Sequence, residues 1–338
     1  MRSVTKLLVF LFLFVGAGFG QEPVNFGWAP PTPEQKALSK DNQYTQQLRD
    51  LVKYNDDSDV FLYRYIYKAL KDTNQLSQGE IDSGRLNSID QGSVGECVGA
   101  GTARALDATM ACDIYVRREN ERWRALANVE GIYAIGRLDH LSRSDGSTGI
   151  WSVSGLEKYG TLHRILYDNR DLTNTRPTQG REWAATGLPR ELIDKAKDHK
   201  VIASALVRTP DEVKAALQNG YGVILCSDVG YNNTRDRDGF LRRQGSWNHC
   251  MACLGWRSKN TGREGFLIAQ SWSNDWANGP IYPEDMVQGG FWITPEDLKM
   301  HLRSEDCYAI AGFEGFKKRE LKWDEIFKIG EDINVEDN

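Results

Sequence analysis

The chain has 338 residues, with 42 Lys and Arg against 47 Asp and Glu and a formal charge of −5. That balance excludes the basic footprint of a nucleic-acid-binding protein. With 40% hydrophobic and 26% charged residues, and no apolar run after the first twenty residues long enough to span a bilayer, neither a disordered chain nor a membrane-embedded body fits.

Residues 1–20 read as a secretory signal: Arg2 and Lys6 precede an apolar stretch from Leu7 to Val15, followed by Gly16, Ala17, Gly18 and Gly20. Residues 21–80 read as an N-terminal extension, in which Pro30, Pro31 and Pro33 lead into a helix-like stretch bearing Leu38, Tyr44, Leu48, Leu51 and Val52. Residues 60–70 (VFLYRYIYKAL) fit strand or helix, and 71–88 read as a polar connection.

A helix is predicted from Cys97 to about Arg118, with Ala103, Leu106, Met110 and Ile114 on its buried face, and another from Val129 to Leu141. A third, from Trp151 to Tyr159, stops at Gly160. The period then changes. Val201–Val207 and Tyr221–Val229 read as strands, and between them Thr209-Pro210-Asp211-Glu212 forms a capping box that opens a helix. Further strands are expected at 248–256, 265–272 and 307–313, with a short helix opened by Thr294-Pro295-Glu296-Asp297. Helices followed by strands imply an α+β fold of two lobes. Residues 317–338 read as a charged tail.

Asp90-Gln91-Gly92-Ser93-Val94-Gly95-Glu96-Cys97 ends where a helix begins. A thiol at a helix N-terminus lies in the positive end of the dipole, which favours the nucleophilic thiolate. The glycines let Gln91 fold back so that its amide and the Cys97 N–H converge on one point, as a developing oxyanion requires. Of five histidines, His199 lies among lysines and His301 in an amphipathic helix, so both read as solvated. His249 opens an apolar strand, and Gln270 ends the next, close enough on adjacent antiparallel strands to fix the imidazole tautomer.

These residues resemble the papain-like cysteine peptidases. Gln91 and Cys97 match the family's oxyanion glutamine and nucleophile, Asn248-His249 is similar to its Asp-His, and Gln270-Ser271-Trp272-Ser273 to its Asn-Ser-Trp-Gly. GSTGIWSVSGLEKYGTL resembles the glycine turn and helix lining the substrate cleft, which brings in Gly146 and Gly149, and GGFWI resembles the final strand. The chain departs from the pattern at Val94, Val98 and Gln270.

The resemblance implies a peptidase domain over 81–316, with a helical lobe, an antiparallel sheet or barrel lobe, and a cleft between them. Cys97, His249, Gln270 and Gln91 would be catalytic, and Gly146, Gly149 and Trp272 substrate-binding. It implies protein or peptide substrates and no metal or organic cofactor, while the pattern of residues 1–20 implies a secreted or extracytoplasmic location. Residues 21–80 would be a short pro-region acting as an intramolecular inhibitor, or a permanent extension packed on the helical lobe. A binding-only relative and an amidase or transglutaminase-like enzyme acting on non-protein amides remain open.

Other motifs carry less. Cys250 and Cys253 have zinc-like spacing but face opposite sides of a strand, with no second pair. Cys112, Cys226 and Cys253 read as small buried hydrophobes. Gly99-Ala100-Gly101 lacks a preceding strand and a third glycine, so it is no dinucleotide fingerprint. Asp236-Arg237-Asp238-Gly239 lacks further calcium ligands, and Asn232-Asn233-Thr234 fits a glycosylation acceptor where the host glycosylates.

Overall fold

A computed structural model describes residues 24–38, 43–51, 58–199 and 203–312. The proposed signal segment 1–20 and the tail 317–338 lie outside the described residues. The extension contributes β1 (Val24–Asn25), α1 (Pro33–Leu38), α2 (Gln43–Asp50), β2 (Val60–Phe61), α3 (Tyr63–Asp72) and α4 (Gln78–Ser83). Then come α5 (Cys97–Tyr115), α6 (Val129–Gly136), α7 (Gly149–Tyr159), β3 (Leu166–Tyr167), β4 (Arg170–Asp171), α8 (Pro177–Thr186) and α9 (Arg190–Ala196). The last third holds β5 (Ala203–Leu206), α10 (Pro210–Gln218), β6 (Val223–Tyr231), β7 (Arg243–Arg257), β8 (Gly265–Ala269), β9 (Phe291–Ile293), α11 (Pro295–Leu302) and β10 (Tyr308–Ala311).

The expected α+β division into two lobes is present. Strands run in the order β5-β10-β6-β7-β8-β9, and this path does not close into a barrel. β6 to β10 pair antiparallel, with Ser227 opposite His249 and Cys226 opposite Cys250. The helical lobe is built on α5, in which every residue except Met110, Ile114 and Tyr115 is buried. Such a helix needs partners on all sides, and it packs against α3, α6, α7 and β7.

Local signals decided many element ends. Thr209 accepts from the Glu212 N–H while the Glu212 carboxylate accepts from the Thr209 N–H, completing the capping box of α10. Thr294 caps α11 through the Asp297 N–H, and Gly160 stops α7 with φ +88°. The ambiguous 60–70 segment divides into β2 and then α3, whose Tyr63, Ile66, Ala69 and Leu70 are buried. Within the expected polar connection, Ser77 and Glu80 form a second capping box that opens α4.

Two sequence expectations are corrected. Cys226 does not act as a small hydrophobe but is disulfide-bonded to Cys250, because the β6–β7 register places the two directly opposite. His301 is fully buried, with Nδ1 hydrogen-bonded to Ser227 Oγ at 2.6 Å and Nε2 to Tyr231 OH at 2.7 Å; burial pushes its pKa down to about 3. The extension packs on both lobes, α3 against α5 and α2 against β5 and α10, with Arg49 Nε 3.2 Å from Glu212 Oε1.

Because the α10 cap satisfies two otherwise orphaned N–H groups, Thr209→Ala is expected to lower stability by about 0.5–2 kcal/mol in urea unfolding. An unchanged midpoint would contradict this account of the helix start.

Candidate active site

Cys97 is the first residue of α5, completely buried where that helix abuts β7. Small residues make the approach possible: a Cβ on Gly101 would meet the backbone of Met251 and Cys250 at 3.2 to 3.3 Å. The backbone N–H groups of Cys250, Val98 and Cys97 itself act on the sulfur. The thiol of the helical lobe thus touches the main chain one residue beyond His249 of the strand lobe.

The loop before α5 is tied to the segment after β8. Gln91 N donates to Ser271 O at 3.0 Å and Ser273 N to Ile89 O at 3.3 Å, while Ser88 Oγ donates to Gln270 O at 2.9 Å. Ser271 Oγ donates to Gln91 Oε1, so the amide oxygen is held and Nε2 faces the cleft. Trp272 stacks on the His249 ring at 4.1 Å between centroids and 21° between planes.

The cleft holds a stretch of the chain's own N-terminal extension. Gln91 Nε2 donates to Phe26 O at 2.9 Å and to Val94 O at 2.8 Å. Phe26 N and Trp28 N both donate to Asn248 O, at 3.0 and 3.3 Å, on one wall. On the other, Ser147 N donates to Gly27 O at 2.8 Å and Ala29 N to Ser147 O at 2.9 Å. Gly27 has φ +119°, and a Cβ there would stand 2.2 Å from Gly95 O, so only glycine passes over the loop. Gly146 closes the same passage, since its Cβ would meet Gly27 O at 3.0 Å. Trp28 Nε1 donates to the buried Asp306 at 2.8 Å, and the Phe26 ring lies 4.4 Å from Trp272 and 5.8 Å from His249.

This enclosure sets the electrostatics. Burial pushes the Cys97 thiol up to about 12, with Glu96 adding to the rise, and pushes His249 down to about 3, with His301 adding to the fall. Both shifts favour the neutral form in this enclosed state, and neither ring nitrogen of His249 has a hydrogen-bond partner.

Gln270 does not orient the imidazole. Its Oε1 accepts from Trp272 N, and its Nε2 donates to Ser273 O at 3.2 Å and Gly289 O at 3.5 Å. The longer side chain curls into its own turn, leaving ring orientation to the Trp272 stack. Gly149 N donates to Asp306 Oδ2 at 2.6 Å, and a Cβ there would collide with Asp306 O. Among the described residues, no group of three or more His, Cys, Asp or Glu could hold a metal ion.

Xylellain, a cysteine protease from Xylella fastidiosa, superposes with a TM-score of 0.54 over 85% of this chain and 96% of its own, at 15% identity. The fold is papain-like. At that identity the chain is a divergent example of it. Digestive procathepsin L 3 from Tenebrio molitor larval midgut and proCathepsin B S9 from Trypanosoma congolense align more loosely. Each is 12% identical with a TM-score of 0.45; they cover 77% and 88% of this chain, and 71% and 87% of their own. No family model and no curated protein matches the sequence.

Three contributors were not singled out from the sequence: Phe26-Gly27-Trp28 in the cleft, Asp306 beneath it, and Glu96 beside the thiol. Only the aromatic-glycine-aromatic cluster in a polar arm hinted at the first. Glu96 is fully buried at the α5 N-terminus with neither carboxyl oxygen hydrogen-bonded, and a Cβ on Gly180 would sit 2.4 Å from its Oε2. Burial, then the neighbouring Glu130, raises its pKa to about 9.

A group whose folded pKa lies above its unfolded value, 4.5 here, loses stabilisation as pH rises from the unfolded value through the folded one. Glu96→Gln carries no such proton, so its stability relative to the parent protein should grow between pH 5 and 8 by up to about 1.4 kcal/mol per pH unit. Parallel pH profiles in urea unfolding would show that Glu96 is ionised in the fold.

Proposed function

We propose that this chain is an exported cysteine peptidase held latent by its own N-terminal segment, with the α5 thiol as nucleophile. The observation that carries this reading is the Phe26 carbonyl resting on Gln91 Nε2, in an extended segment hydrogen-bonded to both cleft walls. A peptide carbonyl accepting from Gln91 Nε2 supports reading that amide as one donor of an oxyanion hole. Export rests on the residue pattern of 1–20.

The chemistry follows from the donors present. With the segment withdrawn and a substrate seated, His249 takes the Cys97 proton and the sulfur attacks the scissile carbonyl carbon. Negative charge passes to the carbonyl oxygen, held by Gln91 Nε2–H and by the Cys97 N–H, which as the first helical N–H has no intrahelical acceptor. Collapse breaks the C–N bond, the His249 imidazolium protonates the leaving amine, and a thioester remains. Water, deprotonated by His249, then releases the acid and restores the thiol.

The Trp272 face holds the imidazole plane throughout, a role the Gln270 side chain leaves vacant. Withdrawing Phe26 would readmit water to the site, weakening the burial that now favours the neutral form of both groups.

Phe26→Ala/Trp28→Ala loosens the segment without altering the thiol, imidazole or amide. Its Cys97 should react with iodoacetamide at least ~10-fold faster than in the intact protein at pH 6, and hydrolysis of a mixed peptide library should appear. Adding Gln91→Ala should lower kcat by about 10²–10³-fold, and Cys97→Ala should abolish turnover. A reactive Cys97 without hydrolysis of any peptide would favour a binding-only protein, and hydrolysis of peptidoglycan fragments alone would redirect the substrate class.

A further inference from the structure

Where the N-terminal segment crosses the cleft, three glycines from distant parts of the chain meet. Gly95, in the loop before α5, and Gly146, in the loop before α7, both lie against Gly27. A Cβ on Gly95 would meet Gly146 N and Gly27 Cα, each at 3.2 Å, and one on Gly27 would stand 2.3 Å from the carbonyl carbon of Gly95. The atoms in the way belong to the main chain, which cannot rotate aside as a flexible side chain can.

Both loops are braced. The fully buried Arg137 donates through Nη1 to Gly146 O at 2.6 Å and to Ser144 O at 2.7 Å, and through Nη2 to Ser142 O at 3.0 Å. Gly146 N donates to Tyr133 OH at 2.8 Å. Asp145 ties the two loops together, accepting from Gly95 N at 3.3 Å and from Arg181 Nη2 at 2.6 Å. The same Arg181 nitrogen donates to Ser93 O at 2.9 Å, so one guanidinium clamps the α5 loop to the α7 loop.

The occupant is fixed as firmly as the walls. Asn248 O accepts from the N–H groups on either side of Gly27, and Ser147 N holds the Gly27 carbonyl. Any peptide can make these main-chain bonds, and a bulkier residue at the crossing would have to give them up to lift clear.

We propose that this passage is a glycine filter: the cleft admits peptides carrying glycine next to the residue whose carbonyl meets Gln91, and the Asp145–Arg181 clamp holds the passage narrow. The inference rests on the peptidase reading and narrows its substrate class to glycine-containing peptides. A single added methyl group would overlap braced backbone, and overpacking of that kind is relieved only by moving a loop.

The Phe26→Ala/Trp28→Ala protein, with its segment loosened, supplies an open cleft for the test. A synthetic peptide of residues 22–31 should protect its Cys97 from iodoacetamide. The same peptide with Gly27→Ala should need at least ~10-fold more for equal protection. Arg181→Ala, added to that protein, should shrink the difference between the two peptides. Products from the mixed library should show glycine next to the cleaved residue. In the otherwise intact chain, Gly27→Ala should expel the segment and speed Cys97 alkylation at least ~10-fold, which decides the matter if the double variant misfolds.

Equal protection by the two peptides, no protection by either, or an unchanged difference in Arg181→Ala would overturn the filter. So would a Gly27→Ala chain whose Cys97 stays as unreactive as the parent's. Glycine-selective protection in a protein that cleaves no peptide would sink the peptidase reading and leave the filter standing.

Discussion

Close packing of α5 against β7 is the constraint on which the rest depends. Gly99 and Gly101 bring the helix into contact with neighbouring backbone, and the helix is buried on nearly every side. Its polar side chains are accommodated by specific partners: Thr109 donates to Ile310 O, Asp107 accepts from Ala127 N, and Thr102 meets Ser152. A helix fixed in this way has no freedom to slide, and the Cys97 sulfur is registered against the strand that carries His249. Two lobes made of different secondary structure thereby meet along one contact.

The second determinant is exclusion of water. With Phe26 and Trp272 around the imidazole and Cys97 wholly buried, neither charge of an ion pair would be solvated, and neutrality is the cheaper state. The same argument applies to Glu96, whose carboxyl is buried without a hydrogen-bond partner, which raises its pKa. Burial thus disfavours the charged forms of Cys97, His249 and Glu96 alike.

Much of this was legible in the sequence where the information is local. Thr209, Thr294 and Gly160 marked helix ends because caps and stops act over three or four residues. Cys97 stands out as a candidate because a glycine-bearing loop leads into a helix there, and Gln91 because it precedes that helix by six residues. What depended on long-range pairing was not legible. The Cys226–Cys250 bridge follows from strand register, and burial of His301 follows from α11 lying on β6, neither of which leaves a local trace. Gln270 misled for another reason: one additional methylene lets the amide reach its own turn, and side-chain length alone does not announce which acceptor wins.

β1 runs parallel to β7 at Trp247 and Asn248, beyond the point where β8 begins to pair at Ala252. At that end β7 would otherwise present unpaired main-chain groups, and β1 serves as their cover. Removing the cover would leave a template for strand addition, on which an incoming extended chain is selected first by its ability to lie straight and offer amides. Side-chain preference would come second, from the aromatic surfaces of Trp247 and Trp272 flanking that edge.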